Sequence, residues 1–244
     1  MLFAGNVCFS IVVIATGMPW SLLWAALFIH GTLLCALVVP RCPWLGPIVT
    51  RFNTPQREVW LTIDDGPDGN NTAQLAGELS RRGVRATFFV KGRNLLRHPA
   101  AARALVDAGH TLANHTATHP IMSFWFMFPH RLRREIDACN DALRDAGVTI
   151  TRWFRAPLGM KHIFLHPELN RRGMRQVVWS VRGHDGLVCD TEAVVRRVEG
   201  RVKPGDIILL HEGRPRSNRT ILRVVDALLA RGYAFVIPAD ERLI

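Results

Sequence analysis

The first 40 residues contain no Asp, Glu, Lys or Arg, and the first charged side chain is Arg41. All 20 acidic residues and 30 of the 31 basic residues fall in 51–244, which gives that part a net charge of 30 − 20 = +10. The hydrophobic content of 48% and the pI near 10.8 therefore have different origins in the chain. This composition excludes a disordered protein.

The chain also lacks several signatures of common functional classes. None of its five cysteines has CxxC spacing, and three of them (Cys8, Cys35 and Cys42) lie in or next to the uncharged segment, so neither a four-ligand structural zinc site nor a disulfide scaffold is indicated. There is no P-loop, GxGxxG, GxSxG or HExxH motif, which argues against nucleotide-binding, serine-hydrolase and zincin proteins. No RNP, zinc-finger or helix-turn-helix signature is present, so the basic charge does not indicate nucleic-acid binding.

The uncharged segment 1–40 predicts a membrane anchor. As one helix it would be roughly 60 Å long, about twice the thickness of the hydrocarbon core of a bilayer. The sequence GMPW at 17–20 breaks it, so we predict a transmembrane hairpin with arms at 2–16 and 20–39. A cleaved signal peptide is the main alternative, but it needs a positively charged start that this chain lacks. A buried hairpin in a soluble protein stays open if the domain boundary lies elsewhere.

The arginines at positions 41, 51 and 57 follow this segment. By the positive-inside tendency they place the rest of the chain on the cytoplasmic side of a bacterial-type inner membrane. The prolines and glycine of 41–57 predict a short juxtamembrane linker. We therefore expect a catalytic domain over 58–244.

From residue 59 onward, short apolar runs alternate with amphipathic stretches whose apolar residues are three or four positions apart. The runs predict strands at 59–63, 86–90, 110–114, 152–156, 176–180, 206–210 and 234–238. Strands separated by helices indicate an α/β fold with a parallel sheet, here a distorted seven-stranded (β/α) barrel. In such folds functional groups lie at the C-terminal ends of the strands.

Chemically distinctive residues follow four of these strands. The first strand ends in Asp64 and Asp65, and the third runs into His115 and His119. Arg155 lies at the end of the fourth strand, and His211 directly follows the sixth. Two histidines four residues apart, with a carboxylate from another strand, make a three-ligand metal site with open positions, which is a catalytic type. Of two adjacent carboxylates, one can bind metal while the other acts as a base.

Each feature has an ordinary explanation when taken alone. Asp, Gly and Pro at 64–67 are turn formers, and His115 and His119 could be satisfied surface histidines. His211 could be a core residue bonded to backbone. If the convergence of these residues on strand ends were a coincidence, every ordinary explanation would have to hold at once. We therefore favour a functional site.

The same residues carry a family resemblance. The segments TIDDGP (62–67), HTATHP (115–120), RAPLG (155–159), WSVRGHDG (179–186) and ILLH (208–211) resemble, in order, the five motifs of the polysaccharide deacetylases, the NodB-homology or carbohydrate esterase family 4 group. The intervening ATFFVKGRN and AGHTLANH are also similar to that family. The resemblance extends from about 58 to 237 and implies a NodB-type barrel.

By position, the resemblance implies the roles of the site residues. Asp65, His115 and His119 match ligands of one divalent metal ion, usually zinc. Asp64 matches the general base and Arg155 the arginine that tethers it.

The remaining roles are implied in the same way. His211 matches the general acid, and the backbone N–H of Leu158 matches an oxyanion donor. Leu209 is implied to line the pocket for the acetyl methyl group, and Pro157 and Trp179 belong to the motifs that border it.

Two positions depart from the family pattern. The family commonly has Asp three residues after the motif-four tryptophan, and this chain has Arg182 there. Asp185 is the carboxylate left to orient His211, so we expect it to take that role. Leu158 replaces a frequent tyrosine, which removes a side chain that would line a sugar groove.

The segment 123–129 has four aromatic residues within five positions. It is either a buried loop over the barrel or an apolar lip that enters a bilayer surface beside the active site. The second interpretation agrees with the arginines that follow, which would attract anionic headgroups or a lipid phosphate.

The sequence therefore predicts a membrane-anchored, metal-dependent hydrolase that removes the N-acetyl or N-formyl group of an amino sugar. Its substrate is a cell-envelope glycan or a polyprenyl-phosphate-linked sugar, with membrane lipid as a further partner and no nucleic acid. The alternative is a catalytically silent deacetylase-fold protein that binds glycan or lipid.

Overall fold

The computed structural model describes residues 20–187 and 190–244. Nine strands form one sheet in which every ladder is parallel. They are β1 (Ile48–Val49), β2 (Glu58–Asp64), β3 (Thr87–Val90), β4 (Thr111–Asn114), β5 (Trp153–Phe154), β6 (Arg175–Val177), β7 (Val181–Arg182), β8 (Ile207–His211) and β9 (Ala234–Phe235). The order is β1-β6-β5-β4-β3-β2-β8-β7, with β9 paired to β2.

All seven predicted strands are present, and β1 and β7 are additional. The ladder has two ends, β1 and β7, and these are not paired with each other in the described part of the chain. The sheet is therefore a curled half-barrel of nine strands, which corrects the predicted distorted seven-stranded (β/α) barrel in strand number and shape. The two-residue strands β1 and β7 lie outside the predicted apolar runs, whereas the equally short β5 and β9 lie within longer ones.

Eight helices are described: α1 (Trp20–Val38), α2 (Gly69–Arg81), α3 (Gly92–Arg97), α4 (Pro99–Asp107), α5 (Pro129–Asp145), α6 (Leu165–Asn170), α7 (Thr191–Glu199) and α8 (Ser217–Ala230). Predicted apolar stripes become buried faces, as in α5, where Leu132, Ile136 and Leu143 are fully buried. Asp190 caps α7 by accepting a 3.0 Å hydrogen bond from the backbone N–H of Glu192.

The central strand β2 shows how the sheet orients the site. Val59, Leu61 and Ile63 belong to the main core, which also contains the helix residues packed on the sheet, whereas Trp60 belongs to a second core. Because side chains alternate along a strand, Asp64 lies on the same face as Trp60. The fold therefore directs this carboxylate into the interior of the half-barrel.

The N-terminal predictions have a mixed outcome. The first predicted arm, 2–16, lies outside the described residues. The second arm is the helix α1, but among the described residues no helix is sufficiently long and apolar to cross a membrane. Within the predicted linker 41–57, strand β1 pairs with β6 and joins the sheet.

Candidate active site

Strand register brings the predicted site residues to one edge of the sheet. Asp64 at the end of β2 is paired with His211 at the end of β8. On the other side, Val90 is paired with Asn114, and Asn114 with Phe154. The residues that directly follow these three positions are Lys91, His115 and Arg155, so they are level across β3, β4 and β5.

Asp65, His115 and His119 form a cluster suited to a metal ion. One ligand atom from each of them lies within 4.8 Å of the others. Asp65 Oδ1 is 3.6 Å from His119 Nε2 and 4.0 Å from His115 Nε2. Among the residues described, no other group of three or more His, Cys, Asp and Glu side chains has ligand atoms this close together.

The loops that carry the cluster have unusual backbone conformations. Asp65, Thr116 and His119 have φ values of 82°, 66° and 58°, in the left-handed region that residues other than glycine adopt infrequently. Glu135 from α5 holds the second loop, because its carboxylate accepts hydrogen bonds from the N–H and hydroxyl of Thr118 at 2.8 and 2.7 Å. Such backbone strain is concentrated at functional sites.

Both histidines are arranged to act as neutral ligands. His115 Nδ1 donates to the carbonyl of Arg155 at 2.7 Å, which leaves Nε2 directed at the carboxylates. Burial lowers the pKa of His115, although Asp64 and Asp65 oppose the shift. Burial, together with the neighbouring His115, lowers the pKa of His119 to about 3. Neutral imidazole is the form that binds metals.

Asp65 is ionised in this environment. Burial would raise the pKa of its carboxyl group, but interactions with His115 and Lys91 outweigh that effect and hold it at about 2. Its Oδ1 accepts no hydrogen bond within the described part of the chain, although Lys91 Nζ lies 3.1 Å away. A buried carboxylate oxygen without a hydrogen bond, beside two imidazole nitrogens, fits a divalent ion with oxygen and nitrogen ligands.

Arg155 holds Asp64 in a buried ion pair. The guanidinium is fully buried and donates from Nη1 to Asp64 Oδ1 at 2.7 Å and to Thr62 Oγ1 at 2.8 Å. It also donates to the carbonyls of Val177 and Val178 at 3.1 Å. Asp64 Oδ2 faces the cluster, 3.7 Å from His115 Nε2. One carboxylate oxygen is thus tethered and the other is directed at the site.

His211 is held by Asp185. Asp185 Oδ1 lies 3.0 Å from His211 Nδ1, and Asp185 Oδ2 accepts from the backbone N–H of His211 at 2.6 Å. Burial would lower the pKa of His211, but the hydrogen bond and charge of Asp185 dominate and raise it. Arg182 instead stacks on Trp179, with its guanidinium carbon 5.6 Å from the ring centroid.

The other predicted residues surround this centre at different depths. Leu209 and Trp179 are buried in the second core, and Pro157, two residues after Arg155, begins a short 3₁₀ turn, Pro157–Gly159. Leu158 has a φ of 53° in that turn, and its side chain is half exposed. Its backbone N–H makes no hydrogen bond to any described residue, as an oxyanion donor requires.

The sequence did not single out two residues at the site, Lys91 and Glu212. Lys91 ends the run ATFFVK, so its position after β3 was the available signal. Glu212 follows His211 and is buried, and its Oε1 accepts from Thr72 Oγ1 at 2.8 Å. It also fills the space that a side chain on Gly66 would need. Burial raises the pKa of Glu212 to about 7.

Comparisons with known proteins agree with this geometry. A family model described as polysaccharide deacetylase matches residues 51–177. A chitooligosaccharide deacetylase of Bradyrhizobium sp. is 33% identical over 191 residues, covering 76% of this chain and 85% of the relative. A peptidoglycan-N-acetylglucosamine deacetylase of Bacillus cereus is 27% identical over 206 residues, covering 80% and 92%.

Solved structures show the same likeness. A family 4 carbohydrate esterase from Streptomyces lividans in complex with acetate is 31% identical, with a TM-score of 0.70, and the match covers 79% of this chain and 98% of the other. A CE4 family pseudoenzyme from Bacillus anthracis is 25% identical, also with a TM-score of 0.70, covering 78% and 66%. The chain belongs to the polysaccharide deacetylase family, the NodB-homology group of carbohydrate esterase family 4.

Proposed function

We propose that this protein hydrolyses the N-acetyl or N-formyl group of an amino sugar in a cell-envelope glycan, with one divalent metal ion as cofactor. The observation that carries the proposal is the arrangement of Asp64 beside Asp65, His115 and His119, with His211 on the adjoining strand. In this proposal Asp64 is the base, the three-residue cluster holds the metal and His211 is the acid. These are the groups that amide hydrolysis needs.

Asp65, His115 and His119 would hold the ion, for which we propose zinc because the donor set is two imidazoles and one carboxylate. When bound, such an ion polarises the amide carbonyl and lowers the pKa of water. Asp64 takes a proton from the attacking water through its free oxygen, while Arg155 holds the other oxygen and orients the carboxylate. The N–H of Leu158 stabilises the developing oxyanion. His211 gives a proton to the departing amine.

For the substrate, we propose an N-acetylglucosamine-containing oligosaccharide or glycan first, because relatives are chitooligosaccharide and peptidoglycan deacetylases. A polyprenyl-phosphate-linked amino sugar is the second candidate. The excess of arginine in the catalytic domain favours it, since guanidinium groups bind phosphate well.

The test is to measure acetate and free-amine release from a chitooligosaccharide and from a polyprenyl-phosphate amino sugar in parallel. We expect Asp64→Asn to lower kcat by about 10² to 10⁴ on the true substrate. Metal content is measured on the same preparations, and EDTA should abolish turnover. Asp107→Asn is a matched control, because Asp107 ends α4 away from the strand ends.

The alternative is a catalytically silent protein of the same fold that binds glycan or lipid. The Bacillus anthracis pseudoenzyme is an example of a CE4 family member without enzymatic activity. Retention of the complete set of base, acid and metal residues in this chain argues against it. The absence of turnover on both substrates, in a preparation that contains stoichiometric metal, would favour the silent alternative.

We also propose that the protein is attached to a bacterial inner membrane with the catalytic domain on the cytoplasmic face. The uncharged segment 1–40 and the arginines after it support this. The test is membrane fractionation combined with a C-terminal reporter that is active on only one side. Periplasmic reporter activity would contradict the orientation.

A further inference from the structure

Large apolar side chains are exposed at the edge of the sheet that carries the active site. We define an apolar rim by residues on the two loops that follow β4 and β5. They are Ile121, Met122, Phe126, Phe128, Leu158, Ile163 and Phe164. Met122 is 86% exposed, and Phe126 and Phe128 are 72% and 71% exposed.

The two loops of the rim form one surface. Phe124 lies under the first loop. Its ring contacts the ring of His162, on the second loop, in an edge-to-face arrangement with 6.2 Å between ring centroids. The backbone N–H of Phe164 donates to His162 Nδ1 at 3.1 Å and so holds this ring in place. Phe124, Met127 and His162 are themselves buried, so the exposed residues around them stand on a packed base. Within 123–129, Phe124 and Met127 are therefore buried, whereas Phe126 and Phe128 are exposed.

The rim continues into the end of α1. Lys161 lies on the second loop, is fully buried, and donates from Nζ to the carbonyl of Val39 at 2.5 Å. Pro40 packs so closely on Gly159 that a Cβ there would lie 2.9 Å from it. Arg41 donates to the carbonyl of Trp179 at 3.0 Å. These contacts fix the end of α1 beside the active-site loops.

Helix α1 presents its own exposed apolar residues. Trp20, Trp24 and Phe28 are four residues apart, so they lie along one face. The helix has no charged residue. The rim and α1 together make an exposed apolar surface larger than the single scattered residues that soluble proteins ordinarily show.

We infer that the apolar rim is a docking surface for an anionic lipid bilayer, which places the active-site edge against the membrane. Aromatic and aliphatic residues of this kind insert into the interfacial region of bilayers. Arg131 and Arg134 are exposed in the first turns of α5, directly after Phe128, where they can reach anionic headgroups. A protein partner would not account for the continuity of the rim with an uncharged helix.

The test is hydrogen–deuterium exchange on the full chain with and without vesicles of phosphatidylethanolamine and phosphatidylglycerol. We expect slower exchange at 121–128 and 158–164, and a smaller effect with pure phosphatidylcholine vesicles. The control region is α3, where Leu96 is 66% exposed but lies outside the rim. Protection confined to 20–38, or none at all, would overturn the inference. Protection that appears on concentrating the protein without lipid would instead indicate a second copy.

A variant tests the same surface by affinity. Met122→Ser combined with Phe126→Ser and Phe128→Ser should weaken vesicle binding at least about tenfold, because each large apolar side chain contributes to burial in the interface. Leu96→Ser is the matched control and should bind as the parent does. If the triple variant does not fold, hydrogen–deuterium exchange of the parent chain still tests whether the rim docks on the bilayer. Neither measurement needs turnover, so failure here would leave the proposed deacetylase activity untouched.

Discussion

Asp185 contacts His211 with both of its carboxylate oxygens. Oδ1 lies 3.0 Å from the ring Nδ1, and Oδ2 accepts from the backbone N–H at 2.6 Å. The aspartate therefore fixes both the imidazole and the end of β8. The predicted role of Asp185 is thus compatible with the geometry, and the position three residues earlier is free to hold Arg182, which stacks on Trp179.

Replacing this aspartate should move the pH profile. The raised pKa of His211 favours the protonated imidazole, the form that the proposed general acid needs, and that form is lost as the pH rises through the pKa. In Asp185→Asn the charge is removed and the pKa of His211 falls. We expect the alkaline limb of the kcat profile to shift down by about one pH unit, which is tenfold in the protonated fraction. The measurement is kcat against pH.

The control is Arg182→Gln, which removes a neighbouring charge without touching His211. Its alkaline limb should coincide with that of the parent enzyme. An unshifted profile for Asp185→Asn would show that Asp185 does not set the protonation of His211.

The buried pair of Arg155 and Asp64 should dominate the stability of the site. In Arg155→Met the carboxylate would remain buried without its partner, which typically costs about 3–5 kcal/mol of unfolding free energy. Urea denaturation measures this. In the double variant Arg155→Met/Asp64→Asn we expect a loss well below the sum of the two single losses. Additive losses would contradict a direct coupling between the two side chains.

The positions of the candidate site residues were predictable because each follows a recognisable strand. Apolar runs fixed β2, β4 and β8, and parallel strands end at one edge, so Asp64, His115 and His211 had to lie together. The direction of Asp64 also follows from the alternation of side chains with Trp60. Local sequence was therefore sufficient to predict a strand, and the residue that follows it, where the strand has at least four residues.

Tertiary features were less accessible. Nothing local marks the two-residue strand at 48–49, because its hydrogen bonds come from β6, more than a hundred residues away. The loop that gives His119 its positive φ is held by a hydrogen bond from the N–H of Thr118 to Glu135, 17 residues further along the chain. The contact of Lys161 with Val39 depends on how α1 meets the domain. Such features follow from packing between distant segments.

Lys91 should weaken metal binding. Its Nζ lies 3.1 Å from Asp65 Oδ1, the oxygen that also faces both histidines, so its ammonium competes with a cation for that atom. We expect Lys91→Gln to raise the zinc affinity of the metal-free protein by about tenfold or more. Calorimetric titration measures it.

Arg93→Gln is the matched control for Lys91, because Arg93 is exposed and two residues further along the chain. It should change zinc affinity much less. Weaker binding in Lys91→Gln would mean that the lysine holds Asp65 in place for the metal instead of competing with it.

Glu212 should make the folded protein less stable as the pH rises. Its pKa is about 7 in the folded state, against an ordinary value of 4.5, because burial disfavours the charged form. The folded state therefore binds the proton more tightly than the unfolded state, and stability falls between about pH 4.5 and 7 and then levels off. The total effect is about 3 kcal/mol if the unfolded carboxyl titrates normally.

The neutral variant Glu212→Gln should remove this dependence. Glutamine can keep the acceptor for the Thr72 hydroxyl, and no charge needs to be buried at neutral pH. We expect its unfolding free energy at pH 8 to exceed that of the parent by up to about 3 kcal/mol, with little difference at pH 4.5. Urea denaturation across this pH range provides the measurement. Equal pH slopes for the two proteins would show that Glu212 does not retain its proton in the fold, and that the surroundings of Thr72 and Gly66 accommodate a carboxylate.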